Sequence, residues 1–122
     1  MKIVTYNEAC NLVKEIKYGK RKTVLCIVVA NKNCPFCFEL KSNLYPKVKE
    51  KYGDDIEFVQ FIQPDLLIEN DNFIFPVEKS PVSFFYVRKH DQFPIVKAGV
   101  GPINSIMFDV LEMITLNNKL ND

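Results

Sequence analysis

The stretch TVLCIVVANKNCPFCFEL, residues 23–40, changes character halfway. Its first part is an apolar, largely β-branched run that reads as a central strand buried on both faces and ending at Asn31. From Pro35 onward the apolar positions Leu40, Leu44 and Val48 lie four apart. That spacing predicts a helix from the cysteines to about Tyr52, where Gly53 stops it. Cys34-Pro35-Phe36-Cys37 sits at the junction, so two thiols fall one helical turn apart where a strand hands over to a helix. They can close a metal site, staple the fold or exchange electrons.

The flanks supply the architecture. Thr5 with Glu8 three residues later is a capping-box signature, and Ala9, Leu12, Val13 and Ile16 recur at helical spacing until Gly19. Lys20, Arg21 and Lys22 bound this first helix. IEFVQFI, residues 56–62, is a second strand, while residues 63–80 are undecided, with one short helix expected around Asp65–Glu69. VSFFYVR and PIVKAGV, joined by the polar KHDQ, predict an antiparallel hairpin. Pro102 suits a first helical position, and Ile103, Ile106, Met107, Val110, Leu111 and Ile114 form one apolar face of a last helix. A strand, a helix and another strand imply a parallel βαβ unit. The later hairpin adds antiparallel strands, so the expected fold is α/β, a mixed central sheet with helices on both faces.

The chain's 122 residues fit one domain, and no repeat, linker or low-complexity segment divides it. Lys+Arg 16 against Asp+Glu 15 leaves a net charge of +1. A balance so near neutral offers no broad field for phosphate backbones or anionic lipid, so neither nucleic acid nor membrane is an expected partner. Val24–Ala30, the longest apolar run, falls far short of the ~20 residues that cross a bilayer. No targeting segment is read at the amino end, and a cytoplasmic monomer is expected. In that compartment the four cysteines are expected to be reduced, catalytic or metal-binding rather than structural disulfides.

Metal is poorly supported, because a structural zinc site wants four Cys or His ligands. This chain has one CxxC, no second pair, and His90 in a predicted turn. A purely structural disulfide would close a loop too short to constrain the unfolded chain much. Redox exchange fits the local physics. The amides of a helix's first turn lack internal partners and carry the positive end of the macrodipole, which stabilises a thiolate at Cys34, the nucleophile. Cys37, one turn further in, is shielded yet within reach, as suits a resolving thiol. Pro35 has no amide to satisfy in the first turn and fixes the geometry between the sulfurs, and Phe36 is expected as an apolar lip. No metal or cofactor is called for.

CxxC opening the helix after a β-branched strand resembles the thioredoxin-like superfamily, of thioredoxin or glutaredoxin type. FPVEKSPVSFFYV, residues 75–87, resembles the segment in which thioredoxins and protein disulfide isomerase domains carry a cis-proline before the next strand. The resemblance spans roughly residues 5–117. It implies the thioredoxin fold, with Pro81 as the cis-proline lying against the sulfurs and the backbone of Ser80 pairing with an incoming substrate chain as an added strand. It also places Gly99 or Gly101 at the site.

The implied activity is dithiol-disulfide oxidoreduction of protein disulfides, with a reductase of thioredoxin-reductase or glutathione type as electron donor. The family's potentials run from roughly −120 to −270 mV. Two other readings remain: reduction of glutathione mixed disulfides, and a binding module whose thiols are incidental. Departures from thioredoxins are Asn33 before the motif, a Pro-Phe dipeptide closer to glutaredoxins, no tryptophan, and Val28 at the position of a buried aspartate. Lys32 or Lys41, or water, would then assist the resolving thiol. Against glutaredoxins, Ser80-Pro81 replaces their TVP and GVGPIN lacks their acidic residue. Cys10 and Cys26 read as small buried hydrophobes, Pro46 as a bend in the second helix, most phenylalanines as core, and Phe36 and Phe73 as groove candidates.

Overall fold

The computed structural model describes residues 1–31, 34–62, 81–87 and 94–121. Its elements in chain order are β1 (Lys2–Val4), α1 (Tyr6–Lys17), β2 (Val24–Ala30), α2 (Pro35–Glu39), a π-helical turn (Leu40–Leu44), α3 (Tyr45–Tyr52), a 3-10 turn (Gly53–Asp55), β3 (Ile56–Ile62), β4 (Val82–Tyr86), β5 (Ile95–Ala98) and α4 (Ile103–Asn121). The strands form one mixed sheet in the order β1-β3-β2-β4-β5. β3 is parallel to β1 and β2, while β4 is antiparallel to β2 and to β5.

The expected βαβ unit and antiparallel pair are both present, and the first helix carries its capping box, with Thr5 and Glu8 reciprocally bonded. β1 was not foreseen. Three residues with only Val4 buried leave too short a trace for a period-2 pattern to register. The expected short helix at Asp65–Glu69, the KHDQ turn, His90 and Phe73 lie outside the described residues.

β2 is central and buried along its whole length. Its side chains alternate between two cores. Leu25, Ile27 and Val29 face α1 through Ala9, Val13 and Ile16. Val24, Cys26 and Val28 face the opposite layer, built by Leu40, Leu44, Tyr45 and Val48 together with α4. Burying each such aliphatic side chain contributes about 1.5–3 kcal/mol. The two layers therefore clamp the strand from which the CxxC loop departs.

The second helix is not one regular rod. Tyr45 donates its amide to the Leu40 carbonyl, five residues back, which widens the turn before Pro46. Pro46 has no amide to offer the Ser42 carbonyl, so the bend expected at this proline takes the form of a π-turn just ahead of it. The Ser42 hydroxyl donates back to the Phe38 carbonyl at 2.6 Å. Gly53, at φ +56°, then ends the helix in a conformation that side-chain-bearing residues rarely adopt.

Candidate active site

Cys34 is the N-cap of α2, with extended backbone, and its Sγ accepts the amide hydrogen of Cys37 at 3.1 Å. Pro35 follows in the first helical turn, where a missing amide costs nothing. Cys34 and Cys37 are joined by a disulfide, with Cα atoms 5.2 Å apart. The two sulfurs differ in access. Cys34 is half-buried, whereas Cys37 retains only 4% exposure and lies against the core. Phe36, expected as an apolar lip, is 65% exposed, and Phe38 is 69% exposed on the far side of Cys37. Sequence periodicity missed Phe38, since an exposed aromatic on a short helix leaves no periodic trace.

Pro81 is buried, and its carbonyl accepts the Gly99 amide at 2.8 Å. The register that pairs Val29 with Val82 puts Pro81 beside the Ala30 end of β2, where the CxxC loop begins. One end of the sheet therefore gathers the motif, Pro81 and Gly99. Gly99 has φ +73°, and nothing lies within 4 Å of where its Cβ would stand, so conformation rather than space favours glycine here. Gly101 has only Ile106 near, at 4.0 Å. Ser80, Asn33 and Lys32 lie outside the described residues. Among the described residues no cluster of three or more His, Cys, Asp or Glu could hold a metal ion.

Beneath the helix the core is partly polar. The Tyr45 hydroxyl and Ser83 Oγ are 2.5 Å apart, both buried. Tyr45 also stacks on Phe58 at 4.5 Å and meets Phe85 edge-on. Cys26, read from sequence as a small buried hydrophobe, is fully buried and in addition lies beside the polar groups of Ser83 and Tyr45. Burial pushes its thiol well above the usual cysteine range, and burial likewise raises the Tyr45 phenol. Cys26 should therefore resist iodoacetamide at pH 8 in the native reduced protein and react fully in guanidinium. Mass spectrometry of the alkylated peptides checks this, and native modification of Cys26 at the rate of Cys34 would contradict it.

Cys10 differs from Cys26 in being only partly buried on α1. Val28 is 1% exposed. Its neighbour across the β2–β3 ladder is Gln60, buried at 6% exposure, which nothing in the sequence pattern singled out. A cleft of about 460 Å³ beside Lys41, Pro46 and Lys49 is lined by neither cysteine of the motif.

No family model matches the chain. No curated protein matches it either. Solved structures do. Chloroplastic thioredoxin z superposes with a TM-score of 0.66 at 16% identity, covering 93% of each chain. Fasciola hepatica thioredoxin gives 0.63 at 14% identity over 93% of this chain and 99% of that one. Oxidised mitochondrial thioredoxin 3 from Saccharomyces cerevisiae gives 0.62 at 18% identity over 92% and 94%. At such identities the likeness establishes architecture, and the chain has the thioredoxin fold.

Proposed function

We propose that this protein is a thiol-disulfide oxidoreductase that reduces protein disulfides through Cys34 and Cys37. The observation that carries the reading is the asymmetry of the pair: an accessible sulfur at a helix N-cap, held by the Cys37 amide, is bonded to a buried one. In the dithiol form that amide and the helix dipole favour the Cys34 thiolate. Its sulfur attacks one sulfur of a substrate disulfide, and the departing substrate thiolate takes up a proton. The Cys37 thiol then loses its proton and attacks Cys34 Sγ. The mixed disulfide breaks, the second substrate thiolate leaves and is protonated, and the Cys34–Cys37 disulfide remains. Two electrons and two protons have passed to the substrate. A reductase of thioredoxin-reductase or glutathione type returns them.

Around the sulfurs, Pro35 fixes the turn, Phe36 supplies apolar contact, and Pro81, as a cis-proline, with Gly99 shapes the ledge on which a substrate segment pairs with the Ser80 backbone as an added strand. The protein works as a cytoplasmic monomer in this reading. No helix among the described residues is long and apolar enough to cross a membrane.

Insulin reduction by dithiothreitol tests the proposal. The wild type is expected to accelerate precipitation of the insulin B chain, and Cys34→Ser to fall to the rate of dithiothreitol alone. Equal acceleration by both proteins would overturn it.

A further inference from the structure

Among the described residues, one buried side-chain polar atom has no hydrogen-bond partner: Gln60 Oε1. A buried acceptor without a donor is costly, and such an atom in a packed core asks for an explanation. Its position suggests one. Gln60 lies on β3 in register with Val28 of β2, two residues from the Cys26–Phe58 pair. By the period-2 alternation of a strand its side chain shares a face with Ile56 and Phe58, the face covered by Leu40 and Leu44 of the π-turn that continues the CxxC helix and by α3.

Heights along the sheet agree. Tyr45, stacked on Phe58, marks the level of that pair. From Phe58 to Gln60 the strand climbs about 6.6 Å toward the CxxC end. From Tyr45 back to Cys37 the helix climbs about 12 Å in the same direction. The remaining difference of about 5 Å is comparable to the length of a glutamine side chain, and strand side chains lean along the strand direction. The residue beside it, Val28, has no polar atom to offer.

The redox state explains why the acceptor is unpaired. With Cys34 and Cys37 joined, Cys37 carries no proton and cannot donate. Reduction changes this. Two electrons and one proton convert the disulfide into a Cys34 thiolate and a Cys37 thiol, and the new S–H is a buried donor, Cys37 being 4% exposed.

We infer that Gln60 Oε1 is the acceptor for the Cys37 thiol in the dithiol form, so that Gln60 acts as a positioning residue that raises the reduction potential of the pair. The sign follows from both redox forms. The oxidised protein bears an orphaned acceptor, which disfavours the disulfide, and the reduced protein gains a hydrogen bond, which favours the dithiol. Removing the acceptor relieves the first and abolishes the second, so both effects shift the balance toward the disulfide.

The inference rests on Cys34 and Cys37 exchanging electrons, but its measurement requires no protein substrate. Wild type, Gln60→Leu, Gln60→Met and Gln60→Glu are equilibrated with glutathione redox buffers, in which two glutathione thiols supply two electrons and two protons. The fraction of the Cys34–Cys37 disulfide is then read by alkylation and mass. Gln60→Leu is expected to favour the disulfide about tenfold over wild type, which is a potential about 30 mV lower at 29.6 mV per tenfold. Gln60→Met, close to glutamine in shape and without the amide oxygen, should shift the same way and decides the matter if the leucine variant does not fold. Gln60→Glu keeps an acceptor oxygen and should hold the potential at or above the wild-type value.

A purely structural role would change stability without moving the potential. Accordingly, urea midpoints are measured for both redox forms, and the substitution is expected to be tolerated better by the oxidised protein than by the reduced one. An unchanged potential in the folded leucine or methionine variant overturns the inference, as does an equal fall in Gln60→Glu. Failure of the insulin assay with a shifted Gln60→Leu potential would instead remove the proposed substrate reaction and leave this linkage standing.

Discussion

A Cys37→Ala variant is expected to stop after the first exchange, accumulating a covalent adduct between Cys34 and its substrate. In the proposed cycle resolution by Cys37 is intramolecular, across a Cα separation of 5.2 Å. Without it, the adduct must wait for an external thiol. Well-oriented intramolecular groups reach effective molarities far above the millimolar thiol of an assay, so multiple-turnover insulin reduction should fall about 10²-fold or more. Non-reducing electrophoresis of Cys37→Ala incubated with insulin should show a band heavier by one insulin molecule, released by dithiothreitol. Cys34→Ser should show none, because its remaining motif thiol is only 4% exposed. Wild-type turnover by Cys37→Ala would mean that Cys37 does not resolve the adduct, and the two-thiol cycle would have to be abandoned. Alanine is close to cysteine in size, so a loss of fold is not expected to confuse the outcome.

The sequence disclosed what local physics makes loud. β2 was legible because seven consecutive apolar residues buried on both faces leave no other reading, and α1 because a capping box and a 3.6-residue period coincide. The placement of Cys34 at a helix start and the shielding of Cys37 one turn in followed from their order along the chain, and the structure has both. β1 was silent, since an edge strand of three residues owes its existence to pairing with β3 rather than to its own pattern. The π-turn was only half legible: Pro46 announced a disturbance, but the choice between a kink and a widened turn depends on how Leu40 and Leu44 seat in the core. The Tyr45–Ser83–Cys26 contact and the buried Gln60 were beyond sequence altogether. Each joins residues far apart in the chain, and a polar residue in a strand pattern reads as solvent-facing until neighbouring elements cover it.

Val28 shows what the second core layer tolerates. Val28→Asp would place a carboxyl where the side chain is 1% exposed, on a strand buried along its length. Among described neighbours across the ladders, Gln60 and Ser83 are the polar ones, and neither carries a positive charge. An ionised carboxylate there has no compensating partner, so the folded state prefers the protonated acid and the aspartate pKa rises above its unfolded value of about 3.9. In the window between the unfolded and the raised folded pKa, the native state binds more protons than the unfolded chain. Stability therefore falls with rising pH, by about 1.4 kcal/mol per unit while the window lasts, and becomes level once the folded group ionises. Below the unfolded pKa both states are protonated and the deficit is smallest. Urea unfolding of wild type and Val28→Asp from pH 4 to pH 8 reads this directly. The gap between the two proteins should widen monotonically over that range to several kcal/mol, enough to threaten a fold whose total stability is about 5–15 kcal/mol. A pH-independent gap would mean that the carboxylate escapes to water or finds a cation. The layer beneath the CxxC helix would then be more open than its packing indicates, and Cys37 less shielded than the proposed cycle requires.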